Sequence, residues 1–489
     1  MGIRNRSNVA GGFLKNWSYL TVSSITQQGL SFLCLVRIAR VLAPGGYGEY
    51  TIILAAVAMG QVIAALGMPQ IIIRTVSRNV TSLASVAREV FPVVTAGTSL
   101  SALAVASFLH VFASVTSVYV LLASSCLVLA YGFWAFAEAL AYGRRQMEFS
   151  SLLNVGSSIA WAATIFLLPA RDFSVQTVVV AFSIIQLIRP ALYFLLEWRS
   201  KYFAGWGSRG LEPVASRKVF LKQSMPLFGT NILTLPITLL PVLFLGRFSG
   251  TEQVGFYGVG NKFVSPLSLI STSLLIAIYP VLAHEYANDG QNFLRQGFHL
   301  FHSIWIVSVA FAWALGMFGR EIILTTFGQR YALAIVPFVL QLWTSCIIVA
   351  LSFVGYVFVS ADKENLMVRL SLFNAIVIGV STFVGSHFGA LGLAISSVGS
   401  YFIGFAVHWY VLRRSTLIGK PSPTGLERDA FILYVSLALV STFSLSAPLV
   451  DRGILFSLGT LILFLVSRQQ ISATLKYVRI GLGMTDVQS

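Results

Sequence analysis

Ser24, Gln27 and Ser31 stand at i, i+3 and i+7 in an apolar run near the N-terminus, so they share one face of a helix. Moved on by 207 residues, the same positions are Asn231, Thr234 and Thr238, again all polar. Further along, Tyr257, Asn261, Ser265, Ser268, Thr272 and Tyr279 fall within about 80° of one another on a helix. Lys262 stands at the edge of that stripe, about 8 Å in from its outer end. Hydroxyls, amides and one ammonium bind by hydrogen bond and charge. Polar groups facing lipid are costly, so the stripes turn either to a bundle interior or water-filled cavity, or to bonds with their own and neighbouring helices. Lys262 either snorkels outward or holds its ammonium inside.

Other chemistries find no residues. Of the 17 acidic side chains only Glu138 lies well within an apolar run, so no mid-membrane acidic pair offers a cation site. His299 and His302 have helical spacing but no carboxylate on their face. No GxxxxGK[ST] loop, Ser-His-Asp order or nucleophile elbow occurs. The expectation is a protein that is not an enzyme and needs no metal or cofactor. Cys34, Cys126 and Cys346 sit in apolar runs, as small hydrophobes do.

The elements that position the stripes follow from composition. The chain has 489 residues, 56% hydrophobic and 10% charged, with mean hydropathy +0.81; soluble domains carry about 25% charged residues. Apolar runs of about 20 residues recur end to end, each able to cross a bilayer core. They fall at roughly 18–38, 50–73, 89–112, 117–141, 151–169, 175–196, 220–246, 255–282, 298–318, 331–360, 366–385, 389–411, 429–448 and 453–470. The expectation is an all-α polytopic membrane protein with about fourteen transmembrane helices; continuous runs exclude a β-barrel.

With the N-terminus inside, most of the 33 Lys and Arg residues fall on the cytoplasmic side, among them Arg74, Arg144, Arg189 and Arg217. Arg40, Arg171, Arg247, Arg320, Arg330 and Arg452 fall outside, and Arg37 and Lys262 lie within spans. Both termini are expected in the cytoplasm. The net charge of +16 then orients the chain and meets anionic lipids; spread over many short segments, it does not make a nucleic-acid surface. Arg74 reads as topogenic. Arg37 and Arg40 end the first span on the face opposite Ser24, Gln27 and Ser31.

The 207-residue shift aligns more than the stripes. Arg40…Gly48-Glu49-Tyr50 falls on Arg247…Gly255-Phe256-Tyr257, and Phe13-Leu14-Lys15 on Phe220-Leu221-Lys222. A six-span bundle is therefore duplicated, and an even number of spans makes the copies parallel. The expected organisation is a six-helix bundle over 1–196, a basic, Gly-rich cytoplasmic linker over 197–219, a second bundle over 220–411, and two further helices with a tail over 412–489. Pro226, Pro236 and Pro241 predict kinks in the seventh span.

The stretch "FLKNWSYLTVSSITQQGLSFLCLVRIARVLAPGGYGEYTI" with "ALGMPQIIIRTVSRN" resembles the N-terminal signature of bacterial polysaccharide exporters. These are the O-antigen and lipid-linked oligosaccharide flippases of the multidrug/oligosaccharidyl-lipid/polysaccharide export superfamily. "VGFYGVGNKFVSPLSLISTSLLIAIYPVLA", "TTFGQRYALAIVPFVLQLW" and "FGALGLAISSVGSYF" resemble later segments of that family, to about residue 411. The resemblance implies two six-helix bundles around a cationic cavity that alternates between the faces of the bacterial inner membrane. It implies a polyprenyl-diphosphate-linked oligosaccharide as substrate and a polysaccharide polymerase or assembly complex as partner.

On that reading Lys262 engages phosphate or an acidic sugar, and Asn261, Ser265, Ser24, Gln27, Ser31, Asn231, Thr234, Thr238 and Arg37 complete the substrate surface. Arg40 and Arg247, and with them Arg74, are gate residues or anchors. Two helices beyond twelve keep a lipid II flippase as an alternative. A multidrug antiporter of the superfamily is weakened by the missing acidic site, and a membrane polymerase or ligase by the short outside loops.

Overall fold

The computed structural model describes residues 2–79, 82–113, 115–144, 146–198, 216–264, 286, 290–414 and 425–481. Among them every long element is a helix and no strand occurs. The chain forms two compact units, Met1–Gly255 and Phe256–Ser489.

In the first unit, α1 (Gly2–Ala65) contains the first two apolar runs, joined at a kink. Pro44 has no N–H to donate to a continuing helix, and Ala43 turns the chain with φ 58° and ψ 176°. A second break follows at Leu66 (φ 48°) and Gly67 (φ 68°), after which Pro69 opens α2 (Met68–Arg78). The second apolar run therefore ends at Ala65, earlier than its hydropathy suggests; α2 is a separate amphipathic helix that buries Met68, Ile71, Ile72 and Val76.

Next come α3 (Leu83–Val111), α4 (Val118–Gly143), α5 (Met147–Leu167) and α6 (Val175–Trp198). Then α7 (Arg217–Thr238) and α8 (Leu240–Ser249) divide the seventh apolar run. The break falls at Leu239, and Pro241 lies in the first turn of α8, so one of the three prolines marks it. A ninth helix, α9 (251–264), leads into the second unit. Helices α2, α3 and α4 close a core around Ile72, Val86, Val90, Phe136 and Leu140, which also takes in Phe220 from α7.

The second unit contains α10 (Gly290–Met317), α11 (Gly319–Phe327), α12 (Ile335–Ser360), α13 (Glu364–Ser386), α14 (Gly389–Arg414), α15 (Gly425–Phe443) and α16 (Leu449–Gly481). Helix α11 leaves α10 at 64°. Helix α12 is the central stave: Phe338, Trp343, Phe353 and Phe358 are fully buried on it. The C-terminal pair docks against this unit by fixed polar contacts. Trp343 Nε1 donates to Ser441 Oγ at 2.8 Å, and the Tyr434 hydroxyl donates to the Trp343 carbonyl at 2.9 Å. At the start of α16, buried Arg452 forks onto the Glu321 carboxylate, with Nη1 2.7 Å from Oε2, and also donates to the carbonyls of Met317 and Ala447.

Among the described residues, eight helices are long and apolar enough to cross a membrane, or nine if α10 and α11 form one bent span. That figure takes α1 as one helix. With its two legs counted apart, and with α7–α8, α9, α15 and α16 added, the architecture accommodates the expected number of about fourteen crossings.

Candidate functional site

The repeated turn is where the two copies meet. A Cβ on Gly48 would lie 1.7 Å from the Thr251 carbonyl oxygen, and one on Gly255 would lie 2.1 Å from the Pro44 carbonyl oxygen. The repeat maps Pro44 onto Thr251 and Gly48 onto Gly255, so the contact is reciprocal: each copy's glycine lies against the other's preceding turn. The backbones repeat as well, with Ala43 at φ 58°, ψ 176° and its counterpart Gly250 at φ 90°, ψ 169°. Only residues without a Cβ let two helices cross this closely, which explains why both copies keep a glycine there. Arg40 and Arg247, each four residues before the start of its copy of the contact, are both exposed.

The polar stripe of α1 points away from its unit's core. Ser24 and Ser31 are exposed and Gln27 is half-buried, its amide donating to Ser23 Oγ at 3.0 Å. It is Ser23 that turns inward, donating to the Ser151 carbonyl of α5 at 3.4 Å. On α7, Asn231 is half-buried and Thr238 exposed, while the side chain of Thr234 lies outside the described residues. On α9, Asn261 and Lys262 are exposed next to the buried face formed by Tyr257, Gly260 and Val264. That face is held by α12, where Gln341 Nε2 donates to the Tyr257 carbonyl at 3.1 Å. Ser265, with the remainder of its stripe, lies outside the described residues, as do the side chains of His299 and His302.

The arginines divide. Arg37 is half-buried, donates from Nη2 to the Leu168 carbonyl at 2.9 Å and lies 5.4 Å from the Phe166 ring, so its head is tied to the end of α5. Arg74 is exposed and donates to Gln223 Oε1 at 2.9 Å, linking α2 to α7.

A further polar cluster lies inside the first unit. Glu138 Oε1 accepts from the Tyr142 hydroxyl at 3.0 Å, Ser150 Oγ at 2.9 Å and Asn154 Nδ2 at 3.0 Å. The other amide atom, Asn154 Oδ1, accepts from Arg189 Nη1 at 2.8 Å, and Arg189 also reaches Gln186. The Arg189 guanidinium lies 5.1 Å from the Trp134 ring and 5.8 Å from Tyr131. Arg189 is 8% exposed and stands nine residues, or about 14 Å, before the end of α6. It is therefore not the topogenic charge its place in the sequence suggests, but the cationic end of a relay that α4, α5 and α6 share. Its sequence signal was a lone Arg in an apolar run whose partners, Glu138 and Asn154, also lie in apolar runs.

Among the described residues no group of His, Cys, Asp and Glu converges to hold a metal ion. The arrangement can bind and transmit.

The fold is shared with solved transporters. A structure of the lipid II flippase MurJ in an inward closed conformation aligns with 92% of this chain and 99% of its own, with a TM-score of 0.65 at 12% identity. An inward-facing multidrug resistance MATE family transporter of the MOP superfamily aligns with 80% of this chain and 96% of its own, with a TM-score of 0.59 at 12% identity. The MATE multidrug transporter DinF-BH in complex with R6G aligns with 81% of this chain and 95% of its own, with a TM-score of 0.51 at 18% identity. No curated protein sequence matches the chain. The family model for polysaccharide biosynthesis proteins matches residues 13–284, more than half of the length. The chain thus has the fold of membrane flippases and transporters, and it belongs to the polysaccharide biosynthesis protein family.

Proposed function

We propose that the chain is a flippase that carries a polyprenyl-diphosphate-linked oligosaccharide from the inner to the outer leaflet of the bacterial cytoplasmic membrane, with both termini in the cytoplasm. The observation that carries this reading is the accessible polar face on helices in both copies of the repeat: Ser24 and Ser31 in one, Thr238, Asn261 and Lys262 in the other. Hydrocarbon rejects such groups, so these faces border a watery path.

The physical task fits the residues. A diphosphate–sugar head cannot enter hydrocarbon unaided, because an unpaired charge there costs many kcal/mol. A path lined with hydroxyls, amides and an ammonium replaces its water while the lipid tail stays in the membrane. Lys262 pairs with phosphate or an acidic sugar, and Ser24, Gln27, Ser31, Asn231, Thr234, Thr238, Asn261 and Ser265 meet sugar hydroxyls. The halves 1–196 and 220–411 rock against each other. The Gly48–Gly255 crossing closes the outer side, with Arg40 and Arg247 beside it, and 412–489 supports the second half. A polysaccharide polymerase or assembly complex takes the product at the outer face, and anionic lipids meet the basic inner loops. Family membership supports a polysaccharide precursor as cargo, and the fold it shares with a flippase and multidrug transporters supports alternating access.

The test is a deletion strain scored for surface polysaccharide and for lipid-linked oligosaccharide in the inner leaflet. Accumulation that the wild-type gene relieves, and that a normally expressed Lys262→Ala relieves poorly, is the expected result. Full relief by Lys262→Ala would remove the ammonium from the path, and a strain with no accumulation would overturn the function.

A further inference from the structure

Gln341 is the only amide on α12, a helix that carries no charged side chain, and it is buried. Burying an amide costs free energy unless its groups are met. Both ends of this one face a single turn of α9. Nε2 donates to the Tyr257 carbonyl at 3.1 Å, the carbonyl that in a helix also accepts from the N–H of Asn261. A Cβ on Gly260 would collide with Gln341 Oε1 and stand 3.1 Å from the Phe338 Cα, so a glycine is needed for α9 to lie this close to the amide. One side chain thus grips two backbone positions three residues apart, which fixes both the rotation and the axial register of α9.

The neighbouring rings pack on the same face, Phe256 with its centroid 6.3 Å from that of Tyr331 and Phe263 5.1 Å from that of Phe338. Ring contacts tolerate a slip; a hydrogen bond, being directional, does not. Gly260 and Lys262 point about 160° apart on the helix, so the face that Gln341 holds decides where the ammonium is presented. The repeat points the same way. Moved back by 207 residues, Tyr257 falls on Tyr50, but Gly260, Asn261 and Lys262 fall on Ile53, Leu54 and Ala55. The glycine that admits the amide and the polar pair beside it occur together in one copy and are both absent from the other.

We propose that Gln341 is a positioning residue: its amide sets the rotation of α9 that turns Asn261 and Lys262 to the path. It thereby sets how well the charged head of the substrate is held. The inference rests on the proposed function and deepens it by naming what aims the ammonium.

Gln341→Met keeps the length of the side chain and removes the donor. With Cys34, Cys126 and Cys346 replaced by alanine, maleimide labelling of the purified full-length protein reads the hold on α9 from two reporters, Lys262→Cys and Val259→Cys. Lys262 is exposed, whereas Val259 is buried and lies about 60° from it around the helix. Gln341→Met is expected to lower the ratio of Lys262→Cys to Val259→Cys labelling about fivefold, the net contribution of one hydrogen bond. Gly260→Ala, which pushes the amide away, is expected to lower it too, while a cysteine at buried Ile378 of α13 labels as before in both variants. In the deletion strain, Gln341→Met is expected to reduce export about fivefold when Lys262 is present and to add no further loss to Lys262→Ala.

A wild-type labelling ratio in both variants, or equal export losses with and without Lys262, would overturn the proposal, since a residue that only supports the fold costs the same in either background. A lowered ratio in a protein whose deletion strain accumulates no lipid-linked oligosaccharide would sink the export function instead and leave the hold of Gln341 on α9 standing.

Discussion

Gly48→Ala is the most direct perturbation of the crossing. The added methyl would lie 1.7 Å from the Thr251 carbonyl oxygen, where a carbon and a carbonyl oxygen need about 3.3 Å. The two backbones must therefore part by roughly 1.5 Å. No side-chain rotation relieves this, because the obstructing atom is main chain on a helix. Overpacking of this kind costs about 3 kcal/mol at the upper end of its usual range, which is about a hundredfold in the ratio of closed to open outer turn. Gly255→Ala acts in the same way against the Pro44 carbonyl, 2.1 Å away. On the proposed alternating access the closed turn must also open, so the substitution selects against one state and not against the fold.

The assay is maleimide labelling from outside the cell, with Tyr47→Cys as reporter in a background where Cys34, Cys126 and Cys346 are replaced by alanine. Tyr47 adjoins the crossing and is 1% exposed, so its cysteine is shielded while the turn is closed. Gly48→Ala is expected to raise the labelling rate by up to about a hundredfold and to depress export. Gly45→Ala is the control, since its Cβ would meet nothing nearer than Thr251 Oγ1 at 4.0 Å. Thr251→Gly should not rescue Gly48→Ala, because the carbonyl stays. Labelling at the wild-type rate in Gly48→Ala, together with normal export, would refute the account of the crossing as a closed gate.

Three other outcomes follow from particular residues. Ala43→Gly relieves a left-handed backbone that costs a β-carbon residue about 1–3 kcal/mol, so its melting temperature in detergent should rise; Gly250→Ala, which meets nothing within 4 Å, should lower it through φ alone. Glu138→Ala leaves three donors and Arg189 unmatched and should cost about 3–5 kcal/mol, whereas Glu138→Gln, whose amide oxygen still accepts, should cost far less. In a thermal-melt double-mutant cycle, Arg189→Met should recover part of the Glu138→Ala loss, and strict additivity would refute the relay. Glu321→Ala strands the buried Arg452 guanidinium, which donates to that carboxylate from Nη1 at 2.7 Å, and should lower the melting temperature more than Glu321→Gln, whose amide oxygen still accepts; equal losses in the two variants would exclude the assignment.

What the sequence made legible is what repeats or what is local. The apolar runs, the break near Pro241 and the twice-written turn are all readable one window at a time. The turn proved the most informative, because a glycine kept in both copies marks a place where a Cβ is excluded in both. Hydropathy overruns the boundary at Ala65 for a local reason: Ile71–Ile73 continue the apolar run, and only Gly67 followed by Pro69 marks that the helix has stopped.

The environment of Arg189 is hidden for a different reason. Hydropathy and the placement of basic residues assign each arginine by its own neighbours in sequence, and Arg189 lies near an expected cytoplasmic end. Its burial is decided by Asn154 and Glu138, 35 and 51 residues earlier, which supply an amide and a carboxylate at the same depth. A charge is tolerated in an apolar helix when a neighbouring helix satisfies it, and that pairing is a property of packing. The same reasoning bears on Lys262. Nothing in its own helix separates a snorkelling anchor from a ligand for phosphate, and on the proposed function the two differ in what faces the ammonium as the protein changes state. Lys262→Arg divides them: an anchor tolerates the exchange, because either cation reaches the interface. A phosphate site shaped for a compact ammonium does not, because the broader planar guanidinium donates in a different geometry. Export that survives Lys262→Arg and fails in Lys262→Ala would place the requirement in charge alone, and export that fails in both would place it in the geometry of the path.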